Sequence, residues 1–209
     1  MAKRSITDYS VHPSVSYARA ILENLPDKTG RPLGEWVRLL RETGPAETDS
    51  RRACLKVKHG LGGTTARLIV YRAEGCGAED TDPNAYKAAA HRYVEAMYGG
   101  AKEALRPIHD GLLQVALDLG TDVKICPCQT IVPLYRTHVF AQIKPTTKTR
   151  VDLGFALKGA SPGLPERILE TGGLQKGDRI THRIPLTEEG QIDDELVRWL
   201  EIAYRGGLG

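Results

Sequence analysis

The run His59-Gly60-Leu61-Gly62-Gly63-Thr64-Thr65-Ala66 spaces its small residues as G-h-G-x-x-x-A, the spacing of a helix-hairpin-helix element. A turn of that kind aims backbone N–H groups and a helix N-terminus at a phosphate without reading bases. Gly60, Gly62 and Thr64 would make those contacts, and Arg67, with Lys56 and Lys58, would add positive charge. The same spacing also serves two helices that merely pack, with a glycine capping the first and a small Ala66 letting the second approach.

A second stretch, Lys144-Pro145-Thr146-Thr147-Lys148-Thr149-Arg150, puts three hydroxyls and three cations in seven residues, a composition suited to a phosphate or a carboxylate. From Gly120 to Ala160 the bases are Lys124, Arg136, Lys144, Lys148, Arg150 and Lys158, while the acids are only Asp122 and Asp152. An anion-binding sheet face would draw on Arg136, Lys144, Thr147, Lys148, Arg150, His182 and Arg183. The alternative is a solvated face whose lysines and arginines discourage edge pairing.

The third candidate is Cys126-Pro127-Cys128. Two thiols at i, i+2 supply half a zinc site, but no second Cys or His pair stands at suitable spacing, so no metal is expected. If Lys124 or Arg136 lowered a thiol pKa, Cys126 or Cys128 would be a nucleophile with His138 or His182 as its base. An idle thiol is the commoner fate. His91 and His109 read as surface or core fillers, and Asp193-Asp194-Glu195 as the capped, macrodipole-matched start of a helix. No Walker loop, dinucleotide fingerprint or HExxH is present, and no cofactor is expected.

The elements that must position these residues can be read from periodicity. Four short helices fill the first quarter: Val15 to Leu25, ended by Pro26; one from Pro32 with Leu33, Trp36, Val37 and Leu40 inward; Ser50 to His59, with Cys54, Leu55 and Val57 inward and Gly60 as its left-handed cap; and one from Thr64 carrying Ala66, Ile69 and Val70. Residues 74–84 are rich in Gly, Asp, Pro and Asn and read as a linker, separating a helical domain at 1–73 from an α+β domain at 85–209. In the latter, helices over Asn84 to Tyr98 and Leu105 to Leu119 precede strand-like runs at Asp122–Ile125, Thr130–Tyr135, Val139–Ile143 and Arg150–Leu157. A Gly- and Pro-rich loop over Gly159–Gly177, a strand over Ile180–Leu186 and a helix from Asp193 complete it. Short turns between strands imply an antiparallel, curved sheet packed by helices, hence an α+β class.

Two stretches resemble known families. EWVRLL (Glu35 to Leu40) with LKVKHGLGGTTARLIV (Leu55 to Val70) resembles a small bacterial helical domain of unknown function. That family usually reads W-L-K-x-E-H-G-L-G-x-x-x-A, and this chain has Cys54 in place of the tryptophan. The stretch from Gly99 to Tyr204 resembles an uncharacterised family sometimes labelled a predicted transport protein domain, carried by GGAKEALRPIHDGL, VFAQIKPTTKTRVDLGFALKG, THRIPL and DDELVRWLEIAY. The second family usually has serine and lysine where this chain has Cys126 and Cys128. It is distantly similar to α+β domains that include a frataxin-like iron chaperone, and it is found fused to nuclease-like domains; these are analogies of fold.

The 209 residues suffice for two modest domains, and a 41% hydrophobic content supports a core. A net charge of +3 does not by itself argue for nucleic acid. The start MAKRSITDYS lacks an apolar leader, no run approaches a membrane span, and the four cysteines suit a reducing cytoplasm. The expectation is a cytoplasmic, non-catalytic protein that binds an anionic partner, nucleic acid backbone or an anionic small molecule, with no membrane contact. The alternative is a small-molecule binder or Cys/His-dependent enzyme acting through the C-terminal domain.

Overall fold

The structure is a computed structural model that describes residues 4–157 and 163–206. Lys158 and residues 159–162 of the expected loop lie outside the described residues. The chain divides into two compact units, Val11–Ala89 and Met1–Ser10 with Ala90–Gly209.

The first unit is helical. Its helices are α1 (Pro13–Glu23), α2 (Leu25–Thr29), α3 (Leu33–Thr43), α4 (Thr48–His59) and α5 (Gly63–Ala73). Helix α1 opens on a proline whose absent N–H is no loss in a first turn, while His12 Nδ1 accepts the Ser14 N–H at 3.0 Å. Helix α3 turns its i, i+3, i+4, i+7 stripe inward and buries Trp36 and Leu40. Helix α5 buries Ala66, Ile69 and Val70 completely, and these meet Leu25, Trp36, Leu40, Leu55 and Leu61 in one core. Each such aliphatic side chain contributes about 1.5–3 kcal/mol.

Two details differ from the sequence expectation. Pro26 does not simply stop α1; it occupies the first turn of a further helix, α2, where its fixed φ is already helical. Val57 is not inward but 84% exposed. Leu55 faces the core, and a residue two further along a helix lies on the opposite side.

Residues 74–84 contain a one-turn 3-10 helix, Ala78–Asp80. The Cys76 N–H donates to Tyr71 O at 2.9 Å, and Asp80 pairs with Arg67 at 3.0 Å. Helix α6 (Pro83–Met97) follows, its first turn capped by Asp82 Oδ1, which accepts the Ala85 N–H at 2.7 Å.

The second unit is α+β. A six-residue 3-10 segment, Gly100–Leu105, leads into α7 (Arg106–Asp118), and Pro107 sits in the first turn as its periodicity implies. Among the described residues six antiparallel strands follow in the order β1-β2-β3-β4-β6-β5: β1 (Lys124–Ile125), β2 (Val132–Tyr135), β3 (Val139–Pro145), β4 (Val151–Phe155), β5 (Leu169–Glu170) and β6 (His182–Leu186). The register aligns Ala141, Phe155 and His182, then Ile143, Leu153 and Ile184, then Pro145, Val151 and Leu186. Period-two alternation therefore sends these residues to one buried face and Gln142, Lys144, Asp152, Gly154 and Arg183 to the other. Helix α9 (Asp194–Tyr204) packs on β3 and β4; Asp193 caps it, Oδ1 accepting the Leu196 N–H at 2.9 Å. The expected irregular loop contains strand β5 and a four-residue helix, α8 (Gly173–Lys176).

The architecture is α+β as expected, helices first and sheet last. Among the described residues no helix is long and apolar enough to cross a membrane.

Candidate functional site

The glycine turn lies in a concave site of the helical unit. Gly60 ends α4 in the left-handed conformation, φ 66°, its N–H donating to Lys56 O while the Leu61 N–H reaches back to Leu55 O. Gly62, at φ −63°, is the cap of α5 and offers no side-chain acceptor. The N–H groups of Gly63, Thr64 and Thr65 therefore find no acceptor among the described residues, and no acid stands in the first turn. Four orphan donors open every helix, and their partial positive charge favours an anion.

These residues form one wall of a cavity of about 770 Å³. The opposite walls are Tyr17 and Ile21 from α1, Lys28 and Thr29 from α2, and Arg31 and Trp36 beyond it. Trp36 organises them. Its Nε1 donates to Thr29 Oγ1 at 3.0 Å, its ring meets His59 edge-on at 5.1 Å, and the Arg31 guanidinium lies 5.3 Å above it. A second glycine turn, Lys28-Thr29-Gly30-Arg31 with Gly30 at φ 72°, thus faces the first. No Asp or Glu is among the described residues lining the cavity.

Of the residues singled out for this turn, Gly60, Gly62 and Thr64 line the cavity. Arg67 is engaged elsewhere, paired with Asp80 at 3.0 Å and stacked 5.2 Å from the Tyr71 ring. Sequence reasoning missed Lys28, Thr29 and Arg31, and it gave no role to His59, which opens the glycine run. The signal for three of them was a hydroxyl between two cations around a helix-breaking glycine.

The basic sheet face is assembled differently from its composition. Asp152, 8% exposed, holds Arg150 at 2.9 Å and Arg183 at 2.8 Å and accepts the Thr146 hydroxyl at 2.8 Å. Arg136 donates to Asp122 at 2.7 Å and lies 4.7 Å over the Tyr204 ring. The Tyr204 hydroxyl and Arg136 together hold the Asp122 carboxyl below its usual range. Lys144, Thr147 and Lys148 are exposed. His182 is on the buried face, fully covered, with Nδ1 2.9 Å from Thr181 Oγ1, and burial lowers its pKa. Neighbouring strand positions alternate, so His182 and Arg183 point to opposite sides of the sheet.

The thiol and histidine candidates are not brought together. Cys126 pairs with Pro133 at the β1–β2 ladder, whereas His182 is on β6, four strand spacings away, or roughly 19 Å. His138 is exposed beyond the far end of β2. Burial, reinforced by the neighbouring Cys128, pushes the Cys126 thiol up to about 12, the direction opposite to an activated nucleophile. Cys128 is raised too, by burial. None of the four cysteines is in a disulfide, and among the described residues no three His, Cys, Asp or Glu side chains cluster as a metal site would require.

A cavity of about 470 Å³ lies where the sheet meets the loop before β6. Val139, Phe140, Leu157 and Leu174 give it apolar walls, and Arg136, Arg179 and His138 stand among its other lining residues. Cys126, Cys128 and His182 are not among them.

Comparison with known proteins finds two families. A domain of unknown function, DUF4287, matches residues 18–75, and a second, DUF5655, matches residues 94–206. Both resemblances drawn from the sequence motifs therefore hold, and neither family description names an activity. No curated protein and no solved structure matches the chain. With more than half of its length inside the second match, the chain belongs to the DUF5655 family, and it carries a DUF4287 domain ahead of that one.

Proposed function

We propose that the helical unit binds a phosphate-bearing partner, nucleic acid backbone, without catalysing a reaction on it. The observation that carries this is the cavity at the glycine turn, where three N–H groups of α5 meet Lys28, Arg31 and His59 with neither an acceptor for them nor a lining carboxylate among the described residues. A helix N-terminus contributes about 0.3–1 kcal/mol to an anion, and each charge-assisted hydrogen bond about 1.5–3 kcal/mol. A few such contacts suit non-specific nucleic acid binding, with Kd on the order of 10⁻⁴ to 10⁻⁶ M. The exposed Lys144 and Lys148 of the other unit are further phosphate contacts in this reading, whereas Arg150 and Arg183 are already satisfied by Asp152. Four cysteines outside any disulfide support a cytoplasmic setting.

The test is a salt titration of DNA and RNA binding by the intact chain and by a Lys28→Ala/Arg31→Ala double variant. Removing two phosphate contacts should weaken binding to all sequences alike and flatten the log–log salt slope by about two. Both side chains are exposed, so the fold should persist, with about 1 kcal/mol or less lost from the Arg31–Trp36 contact. No binding near physiological ionic strength, or an unchanged slope in the variant, removes the reading. A second reading is favoured by the cavity of the α+β unit, whose size and apolar walls suit a small, largely apolar molecule, with Asp178 lining it beside Arg136 and Arg179.

A further inference from the structure

We infer that the strand seated in the helical unit is single-stranded, with one base stacked on Tyr17; this rests on the phosphate reading above and names its ligand class. Tyr17 stands one turn before Ile21 on α1, both line the cavity, and the tyrosine is 66% exposed. An aromatic face open to solvent beside a phosphate site is the pairing that single-strand binders use, because every base has a π-face. Trp36 is not that platform: it is 3% exposed and held by Thr29, His59 and Arg31.

Shape points the same way. A turn that grips a duplex must project toward a rounded backbone, but here Gly60 to Thr65 form the wall of a concavity. The volume of about 770 Å³ lies in the range that encloses a small molecule. Such a space suits a nucleotide splayed out of its stack rather than one held in a duplex. Gly62 and Gly63 widen it, since a Cβ at either would meet nothing within 4 Å, so a phosphate can approach the α5 backbone directly. Lys28 and Arg31 are placed for flanking phosphates. Stacking on Tyr17 tolerates any base, and among the described residues the lining holds no Asn, Gln, Asp or Glu to pair with adenine or cytosine edges, so Lys28 and Arg31 leave guanine as the one base with a direct reader.

Fluorescence anisotropy on the full chain tests this with four probes: a short labelled single strand, the duplex of the same sequence, an abasic strand of equal length, and thymidine monophosphate as competitor. The single strand should bind at least about tenfold tighter than the duplex. Tyr17→Ala should weaken it by about ten- to a hundredfold, leave the abasic strand unaffected and keep the melting temperature, while Tyr17→Phe retains affinity. Equal affinity for duplex and single strand, or an unchanged Tyr17→Ala variant, overturns the inference. A Tyr17→Ala variant that binds normally while Lys28→Ala/Arg31→Ala does not would leave the phosphate reading standing; failure of both changes to act ends both. A monophosphate that competes as well as the strand also overturns it, assigning the site to free nucleotides.

Discussion

His109 allows a quantitative test of how the α+β unit holds together. It lies on α7 with no exposed surface, and neither ring nitrogen has a hydrogen-bond partner among the described residues. The Tyr98 ring is 4.4 Å away, and its hydroxyl lacks a partner too. Burial, with the Arg106 guanidinium adding to it, pushes the imidazole pKa down to about 3. Arg106 is itself bonded to Glu95 at 2.9 Å and Asp110 at 3.0 Å. In the unfolded chain a histidine titrates near 6.5, so between about pH 6.5 and pH 3 the unfolded state binds the extra proton. Stability is thus complete above the unfolded value and falls as the pH falls through that window. At pH 5 the unfolded imidazole is protonated by about thirty to one, which favours unfolding by about 2 kcal/mol relative to neutral pH. Burial lowers His12 and His182 as well, with the same sign, so the wild type alone cannot isolate the effect. His109→Leu removes it. Urea titrations of Trp36→Phe backgrounds, in which Trp199 on α9 of the same unit is the remaining tryptophan, should show the His109 protein losing about 2 kcal/mol more than the His109→Leu variant between pH 7 and pH 5. At pH 7 the variant should be no less stable, because two unsatisfied buried nitrogens are gone. Parallel losses in the two proteins would refute the burial argument.

Two further outcomes follow from geometry. Gly60→Ala should cost about 1 kcal/mol or more, because its φ of 66° is strained for any side chain, whereas Gly62→Ala, at φ −63° with open space beyond, should change the melting temperature little while narrowing the cavity and weakening nucleic acid binding. Thermal melts of the two variants decide between them. Among the thiols, exposed Cys76 should react with an aromatic disulfide reagent within mixing time, and Cys126, buried and pushed up to about 12, should react only on unfolding, as a time course with and without denaturant will show.

What the sequence revealed was local and periodic. The stripe of Leu33, Trp36 and Leu40, the Gly60 cap, the Asp193 cap and the alternation of Val151, Leu153 and Phe155 all depend on neighbours within a few residues, and all stand in the fold. What escaped depended on partners distant in sequence. Pro26 reads equally as a stop or a start, and the core contact of Leu25 decides. The two residues of β5 carry no period and become a strand only because β6 lies beside them. The candidate site divides along the same line. Gly60 to Thr65 could be nominated from spacing, but the turn of Lys28 to Arg31 joins them only through Trp36, which bonds Thr29 and abuts His59.

Charge counted along the chain and charge as the fold places it describe the sheet face differently. Between Gly120 and Ala160 the bases outnumber the acids six to two, yet the two acids lie where the guanidiniums converge. Asp152 takes both Arg150 and Arg183, and Asp122 takes Arg136. A guanidinium bonded to a carboxylate can serve an incoming phosphate only by giving up that bond, so its contribution to affinity is a difference between two similar energies. Lys28 and Arg31 face no such competition, because no carboxylate of the described residues shares their cavity. The number that matters is therefore not the local excess of bases but the number of cations left without a carboxylate beside an unanswered donor. By that measure the glycine turns of the helical unit outrank the more basic sheet face.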